Sequence, residues 1–192
     1  ESIFQGNYNL AGQTVHFSNL PVWFPPNMNE EWITDLHSFS WLRHLRAKSG
    51  SLARKHARGI ISNWINNNGS WNDFSWRADI LSRRVSAWLS NAGFLFAEKD
   101  EKFYMKFKKS LSLQVKHLQV ITKQSLFSKI DRLEEGNRLV ASKITIIRGL
   151  LLSSLSLENG ESRYKQSMFL LDEELLKQVI SDGMYVTRSP ST

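Results

Sequence analysis

Apolar residues recur at helical spacing through most of this sequence, and short clusters of Gly and Asn interrupt them. Side chains three or four residues apart lie on one face of an α-helix, so this spacing predicts amphipathic helices. Asn29 has the side chain of an N-cap, and two acidic residues follow it in the first turn. The predicted helices run from Asn29 to the Lys48-Ser49-Gly50 loop and then, approximately, over 51–66, 74–90, 101–122, 135–157 and 162–180. The first two form an αα-hairpin.

The first 28 residues lack helical spacing. Gly and Pro residues separate short alternating segments there, which predicts an extended arm or a small hairpin for residues 1–28. Residues 29–192 form the helical part, in which the fifth predicted helix is apolar on more than one side. We therefore expect an all-α fold in which antiparallel hairpins form layers, rather than a simple surface bundle.

The composition excludes several kinds of site. The 192 residues predict one globular unit, and the absence of Cys excludes disulfides and thiolate metal sites. Metal-spaced His pairs, phosphate loops and Gly-x-Ser-x-Gly elbows are also absent, so we expect no cofactor and no metal. Arg148 and Gly149 interrupt the longest apolar run, and no membrane span is expected. A chain without Cys suits either the cytoplasm or the periplasm, and localisation stays open between them.

A formal net charge of +7 favours polyanionic partners. On the fourth predicted helix, an apolar face formed by Tyr104, Phe107, Leu111, Val115 and Leu118 lies opposite a lysine stripe formed by Lys102, Lys106, Lys109 and Lys116. A lysine stripe can follow a phosphate backbone, but Lys is the usual solvent-facing residue and no aromatic side chain interleaves with these. A nucleic-acid-binding module is thus an alternative that the pattern does not favour.

Trp76 and Arg83 share one side of the third predicted helix, away from the core stripe of Leu81, Val85 and Trp88. Aromatic faces stack on pyranose rings, and a guanidinium binds a carboxylate through two hydrogen bonds. The pair is a candidate site for an acidic sugar. The alternative is structural: a buried cation–π contact or an ion pair between neighbouring helices.

His37 and His44 lie seven residues apart on the first predicted helix. A His side chain titrates near neutral pH, so either residue is a candidate general base. Surface histidines without a catalytic role are the commoner outcome, and we expect that outcome here.

Short motifs occur at defined spacing in residues 135–192: Gly136-Asn137-Arg138, Glu174-Leu175, Gln178-Val179, Asp182-Gly183, Tyr185 and Ser189-Pro190. Together with the upstream segments HSFSWLRHLRA and RRVSAWL, they resemble the α-proteobacterial branch of the heparinase II/III-like family of polysaccharide lyases. The resemblance implies an incomplete α/α toroid, which in that family forms one wall of the substrate cleft and precedes a β-sandwich domain. It also implies that this chain is the early toroid portion of a longer protein, whose C-terminal β domain is missing here.

The resemblance further implies β-elimination on acidic, uronate-containing polysaccharide. A lyase of this kind neutralises the sugar carboxylate, places a base at the adjacent proton and protonates the leaving oxygen. Asn137 corresponds to the neutralising donor, while Arg138 stands where the family has His and Thr192 stands where it has its Tyr. The Thr hydroxyl is too weakly acidic to replace a phenol, so Tyr185 would have to take the phenol's role.

These patterns predict part of a polysaccharide lyase in which Trp76, Arg83, Arg188 and Ser189 bind the substrate. Because Thr192 replaces the family's Tyr, the sequence leaves open whether the protein is an enzyme. The alternatives are a non-catalytic protein of acidic-polysaccharide binding or envelope biogenesis, and a basic helical module for nucleic acid.

Overall fold

The computed structural model describes residues 3–127, 136–156 and 160–178, and the side chains of 123–142 and 177–178 lie outside this description. The described chain is mostly helical, with a short two-stranded sheet near its start. The predicted helix-rich fold class is confirmed. Among the helices of these ranges, none combines the length and the hydropathy that a membrane crossing requires.

The chain begins with a 3-10 helix, Ile3–Gln5, followed by an antiparallel hairpin of β1 (Asn7–Leu10) and β2 (Gln13–His16). Gly6 precedes β1 with φ +86°, and a Cβ at this position would lie 2.2 Å from a backbone carbonyl oxygen. Glycine is therefore required there. Tyr8 is buried, and its ring packs edge-to-face with the indole ring of Trp41, with 5.2 Å between the ring centroids. This contact joins the hairpin to the helical part.

Two helices, α1 (Glu30–Ser38) and α2 (Leu42–Lys48), replace the single first helix that the spacing predicts. Asn29 is the N-cap, as predicted, and its side-chain oxygen accepts a hydrogen bond from a first-turn amide at 2.8 Å. The prediction of one continuous helix is wrong at Phe39, whose φ of 57° is left-handed. In this conformation the Phe39 ring is fully buried and packs edge-on against Trp64 and Trp88 of the next two helices, with ring centroids 6.1 Å and 5.5 Å away. Tertiary packing thus outweighs the local strain.

The next two helices are α3 (Gly50–Asn68) and α4 (Ala78–Ser90). Since α1 and α2 are separate, the predicted αα-hairpin is formed by α2 and α3. The prediction that the following helix starts at Phe74 is wrong, because a turn precedes Ala78. In that turn Asn72 Oδ1 accepts a hydrogen bond from the amide of Ser75 at 2.7 Å. Asn side chains that bond nearby backbone in this way compete with helix formation.

A short helix, α5 (Ala92–Leu95), and a loop lead into α6 (Glu101–Phe127). Arg58 of α3 holds this connection by donating to the carbonyl oxygen of Leu95 at 2.8 Å and to that of Glu98 at 2.5 Å. The connection is therefore fixed against α3 before the chain enters its longest described helix.

One face of α6 is buried, and its apolar members are Phe103, Phe107, Leu111, Val115 and Leu118. Placing Tyr104 on this face was wrong, because Tyr104 is 41% exposed. Adjacent residues of a helix point about 100° apart, so Phe103 and Tyr104 cannot both face the core. Phe103 takes the inward position, and its ring centroid lies 5.5 Å from Cζ of Arg58. On the lysine stripe, Lys102, Lys109 and Lys116 are exposed and Lys106 is half-buried.

The described chain ends with α7 (Gly136–Ser156) and α8 (Glu161–Gln178). α7 packs against α4 and α6 and also against α8, which fits its two apolar sides. The approach to α4 is close at Gly149, where a Cβ would lie 3.1 Å from Cβ of Ser82. We call this contact the Gly149 seam.

The buried apolar residues form two clusters. The larger, here called the aromatic core, joins the hairpin to α1–α6 and includes Tyr8, Trp32, Phe39, Trp41, Trp64, Trp88 and Phe107. The smaller, here called the Trp76 cluster, consists of Trp76, Leu81, Leu118 and Leu150. The Trp76 cluster links α4 to α6 and α7, so it stands between the aromatic core and the last two helices.

Candidate functional site

Trp76, a predicted sugar-binding residue, lies in the core at the end of the turn before α4. It is 6% exposed. Its indole N–H donates to the carbonyl oxygen of Asn68 at 2.9 Å, and its ring contacts the imidazole of His117 edge-on at 5.3 Å. The side chain thus closes the α3–α4 connection against α6 and α7. Stacking of Trp76 on a sugar stays a prediction that requires the side chain to leave this cluster.

Arg83, the predicted partner of Trp76, contacts a different part of the molecule. Its Nη1 lies 3.7 Å from Oδ1 of Asp35 in α1, and the two side chains are 45% and 39% exposed. Burial raises the pKa of Asp35, and the positive charge of Arg83 opposes that rise. This contact corresponds to the structural alternative, an ion pair between neighbouring helices. Recognition of a sugar carboxylate by Arg83 stays a prediction.

The predicted catalytic residues lie at or beyond the limits of the described chain. Asn137 and Arg138 belong to the first turn of α7, of which the backbone alone is described. Residues 179–192 lie outside the described residues, and they include Tyr185, Arg188, Ser189 and Thr192. The roles assigned to these residues therefore stay predictions.

His37, predicted to lie on the surface, is fully buried, and that prediction is wrong. Its Nδ1 accepts a hydrogen bond from the indole N–H of Trp64 at 3.1 Å, so the ring proton is on Nε2, which donates to the carbonyl oxygen of Trp23 at 3.0 Å. Burial, followed by the charge of Arg84, lowers the pKa of His37 to about 4. Both nitrogens are engaged away from solvent, so His37 is a structural link and not a general base. His44 is exposed, as predicted.

Arg84, which sequence reasoning did not single out, is a fully buried guanidinium. Its Nε donates to Oε1 of Gln114 at 2.7 Å, and Nη1 donates to the carbonyl oxygens of Ser75 at 2.9 Å and His37 at 3.2 Å. Its Cζ also lies 4.0 Å from the ring centroid of Trp64. Burial lowers its pKa because the charge has left water. Arg84 connects α1, the turn before α4, and α6.

Residues 69–77, here called the Trp71 loop, connect α3 to α4 and carry an exposed aromatic side chain. Trp71 is 62% exposed. Phe74 of the same loop packs edge-on against Phe24 at 5.7 Å, and Phe24 is itself 49% exposed. The guanidinium of Arg77 lies 5.3 Å from the Phe74 ring centroid. The polar residues on either side of Trp71 indicate only an interruption between two helices, so the sequence pattern does not single out this loop.

The described part of the last three helices contains one small cleft. A cleft between α6, α7 and α8, lined in part by Thr122, Arg163, Ser167 and Leu170, encloses about 20 Å³. That volume accommodates one or two water molecules and not a sugar ring. Within the described ranges, no three His, Asp or Glu side chains converge as metal ligands.

Comparison with known proteins yields one relative in sequence and one in structure, while no family model matches the chain. The chain is similar to FtsZ-localized protein C of Caulobacter vibrioides (strain NA1000 / CB15N), with 32% identity over 162 residues, which are 84% of this chain and 26% of that protein. It is similar in structure to heparan sulfate lyase HepC of Pedobacter heparinus, with a TM-score of 0.72 and 17% identity, over 96% of this chain and 29% of that chain. The chain has a lyase-like fold.

The lyase-like fold confirms the fold class expected from the sequence, an incomplete α/α toroid of antiparallel helical hairpins. At 17% identity, the likeness to the heparan sulfate lyase extends to the fold alone. The α-proteobacterial branch of the resemblance stays a prediction. The chain spans about a quarter of the length of the FtsZ-localized protein. The similarity therefore does not assign the activity or the partners of that whole protein to this chain.

Proposed function

We propose that this chain is the toroidal part of a lyase-like protein that binds acidic, uronate-containing polysaccharide. The observation that carries the proposal is the fold, which is similar over 96% of the chain to that of a heparan sulfate lyase. The net charge of +7 also favours a polyanionic ligand. In this proposal the C-terminal β domain of the same protein forms the other wall of the substrate cleft.

The finer form of this proposal is catalysis by β-elimination. Asn137 would hydrogen-bond the sugar carboxylate as negative charge develops on it, with Arg138 adding positive potential. Proton transfer needs a side chain within hydrogen-bond reach of the sugar, and Tyr185 is the phenol assigned to that step. Arg188 and Ser189 would contact the substrate beside it, and Thr192 would leave the family's usual Tyr position without an acid.

The experiment that separates binding from catalysis uses the full-length protein with heparan sulfate, hyaluronan and polygalacturonate. β-Elimination produces an unsaturated uronate that absorbs in the ultraviolet, and binding is measured in parallel by calorimetry. Product that disappears in Asn137→Ala and in Tyr185→Phe supports catalysis. Binding without product supports a non-catalytic protein of polysaccharide binding or envelope biogenesis. The proposal fails if the wild-type protein neither binds nor cleaves any of the three.

A second candidate function is localisation with FtsZ. The observation that favours it is the 32% identity to FtsZ-localized protein C over 162 residues. We propose that the full-length protein occupies the same cellular position as that relative. A fluorescent fusion of the full-length protein should coincide with FtsZ and should disperse when FtsZ is depleted. A signal that is diffuse in both conditions contradicts this second function without bearing on polysaccharide binding.

Nucleic-acid binding is the least supported alternative, and its test is salt dependence. A phosphate-backbone contact would weaken steeply as salt rises, and it would be lost on replacement of Lys109 or Lys116, both of which are exposed. Polysaccharide binding through stacked aromatic rings would persist in those variants.

A further inference from the structure

Trp71 is set apart from the other tryptophans by its exposure. The chain has seven Trp, all within the described residues. Six are at most 6% exposed, whereas Trp71 is 62% exposed. A large apolar ring held in water loses the free energy that burial would supply. Tryptophan is enriched at interfaces because its ring offers a large apolar face together with an N–H donor.

Hydrogen bonds order the Trp71 loop on the C-terminal side of Trp71. Asn72 accepts a hydrogen bond from the amide of Ser75 and donates one to its hydroxyl, both at 2.7 Å. The amide of Trp76 donates to the carbonyl oxygen of Asn72 at 3.3 Å, and the Trp76 ring is anchored in its cluster. A loop that is already ordered loses little conformational entropy when it binds a ligand.

Polar residues flank Trp71 in the sequence, and further polar residues lie at the end of α3, just before the loop. Ser70 and Asp73 are exposed, and so are Asn66 and Asn67 at the end of α3. Lys106 Nζ donates to Asn66 Oδ1 at 2.6 Å, which brings a positive charge to the end of α3. Phe74, three residues further along the loop, packs edge-on against Phe24.

We propose that the Trp71 loop binds a pyranose ring of an acidic glycan by stacking on Trp71. A pyranose ring has an apolar C–H face bordered by hydroxyl groups. Trp71 offers a flat apolar face, while neighbouring amide and hydroxyl side chains can bond the sugar hydroxyls. The net charge of +7 of the chain favours a glycan with negative charge. An apolar peptide would instead require a continuous apolar groove, and the immediate neighbours of Trp71, Ser70 and Asn72, are polar. This inference rests on the proposed polysaccharide-binding function.

The test measures binding of heparan sulfate and polygalacturonate oligosaccharides to the full-length protein by calorimetry. Trp71→Ala should weaken binding about tenfold, and Trp71→Phe should recover part of the loss because a smaller ring still stacks. Phe169→Ala is the matched control, since Phe169 is 63% exposed on α8, and it should bind as the wild type does. Bound glycan should also protect tryptophan fluorescence from acrylamide, and this protection should be absent in Trp71→Ala. Thermal unfolding confirms that the variants are folded, as expected for exposed positions.

Different failures have different meanings in this experiment. If the wild-type protein binds a glycan and Trp71→Ala binds it equally well, the Trp71 loop is not the site and the proposed function stands. If the wild-type protein binds none of the oligosaccharides, both proposals fall. If Trp71→Ala loses FtsZ co-localisation while glycan binding is unchanged, the loop is a protein-docking surface and the glycan assignment is overturned.

Discussion

The aromatic core and the last two helices, α7 and α8, differ in how completely they cover apolar side chains. In the aromatic core, Trp64 and Trp88 are 0% exposed. On α7 and α8, in contrast, Leu155, Phe169 and Leu176 are 70%, 63% and 79% exposed. Since burial of apolar area is the main favourable contribution to folding, we infer that stability is concentrated in the aromatic core.

We therefore expect α7 and α8 to contribute less to the stability of the folded state than the helices of the aromatic core. The aromatic core receives side chains from the hairpin and from α1–α6. The α7–α8 pair meets the rest through α4 and α6, at the Trp76 cluster and the Gly149 seam.

Trp88→Ala should destabilise the protein by about 3–5 kcal/mol, the range for removing a buried aromatic ring. The ring of Trp88 contacts Phe39 at 5.5 Å, Trp64 at 5.6 Å and Phe107 at 5.1 Å, so its removal leaves a cavity among rigid neighbours. Urea unfolding measures the loss. A loss below about 1 kcal/mol would contradict the view that stability is concentrated in the aromatic core.

His37 should make the aromatic core sensitive to acid. Its pKa is lowered from 6.5 in the unfolded chain to about 4 in the folded protein, so the unfolded state binds the proton more readily. Above pH 6.5 His37 is neutral in both states and its effect on the free energy of unfolding is constant. As pH falls from 6.5 towards about 4, protonation of the unfolded state lowers the free energy of unfolding by about 3 kcal/mol in total.

The measurement for His37 is the free energy of unfolding between pH 7 and pH 4 in wild type and His37→Gln. The wild type should lose stability steeply over this range, and the variant should lack that part of the slope although it is less stable at pH 7. His16→Gln, at an exposed position, should keep the wild-type slope. Equal slopes in all three proteins would show that His37 is not the responsible group.

Gly149→Ala should destabilise the Gly149 seam by about 1 kcal/mol. A methyl group would lie 3.1 Å from Cβ and 3.2 Å from Cα of Ser82, and crowding against backbone outweighs the gain in helix propensity. Hydrogen exchange should show faster opening in α7 and α8 than in α3. Increased stability would mean that α4 and α7 can separate without loss.

Phe169→Ala should change the free energy of unfolding by no more than about 0.5 kcal/mol, because the ring is 63% exposed. Thermal unfolding of Phe169→Ala and Trp88→Ala, measured side by side, compares the removal of an exposed ring with the removal of a fully buried one. A loss of more than about 1 kcal/mol would indicate that the outer face of α8 is covered in the protein.

The helices were largely predictable from the sequence because their signals are local. Apolar spacing located α3, α6, α7 and α8 to within a few residues, and Asn29 identified the start of α1. The break at Phe39 was not predictable, since its spacing fits a continuous helix and the left-handed backbone depends on aromatic rings distant in sequence. The burial of Arg84 could have been suspected from the sequence, because Arg84 lies on the side of α4 that also carries Leu81 and Trp88, but the pattern indicates this less clearly than it indicates the helices.

The candidate site was harder to predict than the fold, as the tryptophans show. Trp71 and Trp76 are five residues apart in one loop, and helical spacing makes Trp76, which it places beside Arg83, the candidate for sugar binding. The structure buries Trp76 against α6 and α7 and leaves Trp71 in solvent. Local apolar spacing is enough to locate most of the helices, because helix formation depends mainly on neighbours within one or two turns. The break at Phe39 and the choice of which rings are covered depend on packing between side chains far apart along the chain, so they appear only in the folded structure.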